Sequence, residues 1–182
     1  MRIEGERVYL RPLERADAEG DYPHWLNDPE VCKYNSHGER RYTKEMALDY
    51  IDMVSQSPRH RVFAVCDLKN NQHIGNISLQ QISAKNRSAE FAIMIGNRSY
   101  SGKGVAKEAS NLLLRFGFGD LNLHRIYCGT SVNNEPMRRL ALSLGMKQEG
   151  IRIDAMIKND KFIDVIEYGL ISPDYSGVRA YS

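Results

Sequence analysis

The stretch from residue 89 to residue 130 constrains this chain more than any other. Ala89, Phe91, Ile93 and Ile95 alternate with Glu90, Ala92 and Met94, the period-two pattern of a strand with one buried face. A glycine-bearing turn follows, Ser99-Tyr100-Ser101-Gly102-Lys103-Gly104. The period then becomes helical, with Val105, Ala109, Leu112, Leu113 and Phe116 on one face and glycines 117 and 119 near the end. His124 to Thr130 reads as a second strand. Strand, helix and strand at this spacing predict a parallel pair joined by a right-handed crossover.

The rest of the chain supplies shorter elements. Val8 to Arg11 reads as a strand. Ala16 to Leu26 has helical spacing, weakened in its second half by Pro23. Thr43 can cap a helix whose apolar face is Met46, Ala47, Tyr50, Ile51 and Val54. Val62 to Cys66 and Ile74 to Gln80 read as strands about a turn at Lys69-Asn70-Asn71-Gln72. Asn134 can cap a helix that buries Met137, Leu140, Ala141 and Leu144 and stops at Gly145. Ile151 to Ile157 and Phe162 to Ile171 can pair around Lys158-Asn159-Asp160-Lys161. The polar tail after Ser172 is expected to be loosely held. The resulting fold class is α/β, or α+β. It has a mixed, mostly antiparallel sheet, a central parallel strand pair and helices on both faces, in one domain over residues 1–182.

Composition narrows the function. The 182 residues are 42% hydrophobic and 26% charged, as in globular proteins, with a net charge of +2. Charges of both signs are interspersed, which argues against a nucleic-acid partner. The basic cluster His37 to Lys44, which contains Glu39, reads as a solvated loop that could meet an anion. No apolar run reaches the ~20 residues of a membrane span. The first residues lack the apolar core of a secretory signal, so a cytoplasmic location is the expectation. Cys32, Cys66 and Cys128 are scattered, as are the five histidines, so no metal site is expected.

The turn at Gly102 and Gly104 carries the clearest chemical signal. Glycine lets backbone N–H groups approach a ligand, and a following helix adds unpaired donors and a positive dipole end. Together these can cradle a pyrophosphate, with Lys103 as a cation at the mouth. The dinucleotide fingerprint lacks its third glycine, and the P-loop pattern is absent. Alone, the glycines also fit a plain tight turn.

Three blocks of sequence then point one way. Tyr100-Ser101-Gly102-Lys103-Gly104-Val105-Ala106-Lys107-Glu108-Ala109 resembles the coenzyme A loop and helix of the GNAT family of N-acetyltransferases. Gly102 and Gly104 match the family's Gln/Arg-x-x-Gly-x-Gly/Ala pattern, while Ser99 stands where Gln or Arg is common. Downstream, Leu123-His124-Arg125-Ile126, Asn134, Leu144-Gly145-Met146 and Glu149-Gly150 resemble the family's strand, asparagine-led helix and Gly-Phe ending, with Met146 for Phe. Val8-Tyr9-Leu10-Arg11-Pro12-Leu13 and Trp25-Leu26-Asn27-Asp28-Pro29-Glu30 resemble the N-terminal part of the branch that acetylates ribosomal-protein N-termini and nucleotide sugars.

The resemblance implies transfer of an acetyl group from acetyl-coenzyme A to an amine, with no metal. An alkylamine of pKa ~10.4 is about one part in 10³ unprotonated at pH 7, so a general base is needed. Glu90 matches the family's acidic residue on this strand; otherwise it is a surface glutamate. Ile93, Met94 and Ile95 correspond to the strand that pairs with the pantetheine arm, and an N–H near Met94 or Ile95 to the oxyanion donor. Ser101, Gly102, Lys103, Gly104, Val105 and Ala106 correspond to the pyrophosphate loop. Asn134 matches a cofactor-contacting asparagine or is a helix cap. Arg139 could approach the 3′-phosphate or lie on a solvated helix face. Ala141 and Met137 replace the usual acid-donor tyrosine and serine, leaving Tyr168 or solvent. Trp25, Asn27, Asp28 and Tyr34, with Glu30 and Asn35, form a stretch suited to an acceptor, although Trp25 could equally be a packing residue.

The acceptor expected first is a small amine, an amino sugar on a nucleotide. The alternatives are a protein N-terminus, an antibiotic or a polyamine, and, in a different class, a non-catalytic acyl-coenzyme A sensor. Relatives are often homodimers, and the exposed end strands could pair across chains.

Overall fold

The computed structural model describes residues 1–35, 37 and 40–175; Glu39 of the basic cluster and the tail from residue 176 onward lie outside the described residues. The strands are β1 (Ile3–Glu4), β2 (Val8–Pro12), β3 (Arg61–Asp67), β4 (His73–Ser83), β5 (Ser88–Ile95), β6 (Arg125–Ser131), β7 (Lys147–Lys158) and β8 (Lys161–Ile171). They form one sheet in the order β1-β2-β3-β4-β5-β6-β8-β7. Neighbours are antiparallel except β5 and β6, which run parallel across the crossover helix. The helices are α1 (Tyr22–Trp25), α2 (Lys44–Gln56), α3 (Val105–Arg115) and α4 (Glu135–Ser143).

Strand alternation sorts the apolar residues into two layers. Phe63, Val65, Ile77, Leu79, Ala89 and Phe91 pack with Val105, Ala109 and Leu113 of α3 and Ala141 of α4. Tyr9, Ala64 and Cys66 point the other way, to Trp25, Ala47 and Ile51. Helices therefore cover both faces of a mixed sheet.

Local signals set the ends of the elements. Thr43 Oγ1 accepts the Met46 N–H at 3.3 Å and starts α2. The α4 helix closes with Gly145 N–H on Leu142 O and Met146 N–H on Ala141 O, at 3.0 and 3.1 Å, a Schellman ending. Asn159 and Asp160 both have positive φ, 50° and 59°, as a two-residue type I′ hairpin turn requires.

Three expectations need correction. Residues 16–26 are not one helix: a 3₁₀ turn, Arg15–Glu19, and the short α1 are separated at Gly20 and Asp21, and Pro23 sits in the first turn of α1, where its missing N–H costs nothing. The α3 helix does not stop at a left-handed glycine; it winds on through Phe116–Asp120 as a wider π-type turn. The chain after Ser172 is held as far as Tyr175, which is 8% exposed, stacks on Phe118 at 5.0 Å and donates its hydroxyl to Asn111 O.

Among the described residues no helix is long and apolar enough to cross a membrane, and no group of three or more His, Cys, Asp or Glu could hold a metal ion. All three cysteines are buried, and burial pushes the Cys128 thiol up to about 12.

Candidate active site

The sheet opens where β5 meets β6. The two pair over three rungs only, Ser88–Arg125, Ala89–Ile126 and Glu90–Tyr127. Yet β5 continues to Ile95 and β6 to Ser131. Each stays tied to its antiparallel neighbour, β5 to β4 as far as Ile95–Gly75 and β6 to β8 as far as Ser131–Val165. Sheet twist carries those neighbours apart, so β5 and β6 diverge beyond Glu90.

The divergence leaves an inner edge of backbone groups on β5. Gly96 N–H bonds to Ile74 O at 2.9 Å, toward β4. N–H directions alternate along a strand, so those of Ile93 and Ile95 face the gap. The Met94 amide faces β4, and its side chain packs with the second apolar layer. Of the two amides named from sequence, that of Ile95 faces the gap, with that of Ile93 beside it.

The glycine turn stands at the end of this edge. Asn97 Oδ1 accepts from Ser99 N–H and Oγ at 3.0 and 2.7 Å, which starts a 3₁₀ turn over Arg98–Tyr100. Gly102 and Gly104 follow with φ of 72° and 76°, a region that other residues enter only with strain. Gly104 is the N-cap of α3. The amides of Ser101 and Lys103 bond within the turn. Among the described residues, those of Gly102, Gly104, Val105 and Ala106 have no backbone acceptor. A cavity of about 300 Å³ beside the turn has Arg7, Lys69 and Lys103 in its walls. Free amides, a helix N-terminus and nearby cations fit a diphosphate.

On the face of the sheet away from α3 lies Glu90, half-buried, its Oε2 accepting from Gln81 Nε2 at 2.8 Å. Gln81 has φ of 49° at an irregularity in β4, which turns its amide toward Glu90. Tyr127, paired with Glu90 on the last shared rung, was not expected from sequence. Burial raises its phenol pKa, and the nearby Glu90 carboxylate adds to the rise, so the hydroxyl stays protonated. Its signal was a register that no single strand reveals. Beyond this rung β5 carries Ala92 and β6 carries Gly129 on the same face, with Val165 and the Arg152 guanidinium lying close to Gly129.

The other expected residues divide. Asn134 serves as a cap, its Oδ1 accepting Met137 N–H at 3.2 Å, while its Nδ2 donates to Thr130 Oγ1 on β6 at 3.0 Å. Asp28 lies near the glycine turn, 3.9 Å from Arg98. Tyr34 is half-buried beside Lys33. Asn27 is a strap: its amide bonds Pro23 O, Tyr42 O and Tyr42 N–H.

Three assignments do not hold. Trp25 is a core residue, 6% exposed, packed edge-on to His73 at 4.9 Å and covering Gly96. Tyr168 is 1% exposed in the apolar layer beneath α3 and α4, on the face opposite Glu90, where packing is its role. Arg139 points to solvent and pairs with Glu135. Its neighbour Arg138 instead folds back to donate to Val132 O at 3.1 Å and keeps a buried Nε without a partner.

Comparison with known proteins agrees with this architecture. The acetyltransferase (GNAT) domain model matches residues 7–147, and the chain belongs to the GNAT family. The uncharacterised N-acetyltransferase p20 of Bacillus licheniformis is 32% identical over 175 residues, covering 94% of this chain and 97% of that protein. Spermidine N(1)-acetyltransferase of Escherichia coli K12 is 30% identical over 169 residues, covering 92% and 88%. A crystal structure of Vibrio cholerae spermidine N-acetyltransferase with CoA and spermine superimposes with a TM-score of 0.85 at 27% identity, covering 94% of this chain and 99% of that one. The protein is an acetyl-coenzyme A-dependent N-acetyltransferase. This weighs against the non-catalytic sensor.

Proposed function

We propose that this single-domain enzyme acetylates a primary amine of a flexible, cationic acceptor of the polyamine class, with Glu90 as the general base. One observation carries the catalytic part: β5 and β6 part immediately after the rung that holds Glu90 and Tyr127. Acetyl-coenzyme A supplies the activated thioester. The free amides at Gly102 and Gly104 to Ala106 hold its diphosphate. The Ile93 and Ile95 N–H groups align the acyl arm and face the carbonyl oxygen. Glu90 takes one proton from the acceptor ammonium, directly or through a water, and the freed lone pair forms the N–C bond. A second proton leaves nitrogen to solvent as the tetrahedral intermediate collapses. The Tyr127 phenol, protonated at neutral pH and paired with Glu90, donates its proton to the thiolate released as the C–S bond breaks and regains one from solvent.

The acceptor class rests on two supports. Relatives with near-complete overlap are named spermidine acetyltransferases. In addition, Arg125 on β6, next to β5, and Arg152 on the edge strand β7 are committed to Glu149 and Glu167. A nucleotide-linked amino sugar would call for more uncommitted cations there than Arg59, which lies near Tyr127, so the amino-sugar reading is the weaker of the two.

The test is steady-state turnover with spermidine, spermine and nucleotide-linked amino sugars. Glu90→Gln should lower kcat with polyamines by about 10² to 10⁴ while leaving acetyl-coenzyme A affinity intact. An unchanged rate refutes the base. Turnover of an amino sugar but of no polyamine refutes the acceptor class.

A further inference from the structure

Glu108, in the first turn of α3, is a carboxylate used entirely inside the protein. Its side chain is 14% exposed. Oε1 accepts the backbone N–H groups of Glu6, Arg7 and Val8 at 2.7, 2.7 and 3.2 Å. Oε2 accepts Arg7 Nε at 2.8 Å. The Arg7 guanidinium then reaches forward, and its Nη1 donates to Lys103 O at 2.9 Å. The same guanidinium lies flat on Gly104, where a Cβ would stand 3.2 Å from Nη2. One arginine thus joins the start of β2, the α3 helix and the glycine turn.

The direction of the bond to Lys103 matters. In a trans peptide the C=O and the following N–H point in opposite directions. Holding Lys103 O toward Arg7 therefore aims the Gly104 N–H the other way, out of the clamp. A peptide next to a glycine at φ 76° meets little steric resistance to flipping, so something else must fix it. We propose that Arg7 and Glu108 form a latch that holds the Lys103–Gly104 peptide with its N–H facing the cofactor diphosphate. Arg7 is then a positioning residue for cofactor binding. The proposal rests on reading the glycine turn as the diphosphate cradle.

Calorimetric binding to the intact protein tests it, with two probes: coenzyme A, and pantetheine, which has the same arm but no diphosphate. The variants are Arg7→Lys, which keeps the charge but loses the fork that reaches both Glu108 and Lys103, and Glu108→Gln, which removes the charged partner. The latch predicts that both variants raise the coenzyme A Kd about tenfold, the loss of one charge-assisted contact, and leave pantetheine affinity unchanged. An unchanged coenzyme A Kd in Arg7→Lys overturns the latch, because charge alone then suffices. Equal losses for both probes also overturn it, since they indicate a general structural role. Wild-type protein that binds coenzyme A no more tightly than pantetheine would instead sink the diphosphate cradle itself.

Discussion

Gly96, just after β5, offers a sharp test of where Trp25 belongs. A Cβ on Gly96 would lie 1.9 Å from Trp25 Cδ2, 2.2 Å from Cγ and 2.3 Å from Cε3. The indole cannot easily yield, being 6% exposed and boxed by His73 at 4.9 Å and Tyr22 at 6.2 Å. Gly96→Ala should therefore cost at the upper end of the overpacking range, about 3 kcal/mol. For a chain of this length that lowers the melting temperature by about 6–12 °C. Trp25→Leu should cost a similar amount through lost burial. The double variant should be better than the sum, with a coupling of about 1–3 kcal/mol, because the added methyl occupies space the indole has left. Thermal and urea unfolding of the four proteins gives the cycle. Additive losses would show that the contact is not the cause. Below its melting range, Trp25→Leu should keep acceptor KM within about twofold; a large rise in KM at constant kcat would restore Trp25 as a substrate contact.

Two further outcomes follow from side chains that hold the site's surroundings. Burial alone would raise the Asp17 carboxyl pKa, but bonds from Arg11 at 2.6 and 2.8 Å, from His73 and from the Glu14 N–H hold it well below the ordinary value. Its contribution is present above the unfolded carboxylate pKa of ~3.9 and is lost as pH falls through the lowered folded value. Asp17→Asn should thus lose about 2–3 kcal/mol at pH 7 by urea unfolding, with the gap to wild type narrowing below pH 4; a gap independent of pH would refute the ionised pair. Asn134→Ala should lose about 1 kcal/mol of stability through the cap, while Asn134→Asp, which keeps the capping oxygen, should stay within about 0.5 kcal/mol. If both weaken coenzyme A binding, Asn134 also touches the cofactor; if neither does, it is a cap alone.

Much of this was legible along the chain because it is local. Alternation in residues 89–95 and helical spacing in 105–116 follow from which face is buried, and a strand–helix–strand order leaves a parallel pair as the simple outcome. Thr43, Asn134 and the Asn159–Asp160 turn act on backbone groups within a few positions of themselves. Glu90 was visible as the polar residue of an otherwise apolar strand. The same local logic failed at residues 16–26, where Gly20 and Pro23 allow two short turns and tertiary packing of Tyr22 and Trp25 decided between them.

The amino-acid sequence by itself therefore determined the periodic elements, their caps, the parallel crossover and the glycine turn, all of which depend on neighbours a few residues apart. Only the tertiary structure decided where β5 and β6 part company, since that reflects the twist of strands paired elsewhere. It alone buried Trp25 and Tyr168, committed the Asn27 amide to Tyr42, and paired Glu90 with Tyr127. It also brought Arg7 to Glu108 across 101 residues of chain. Such contacts depend on which surfaces meet when the layers close, and no short window of residues carries that information.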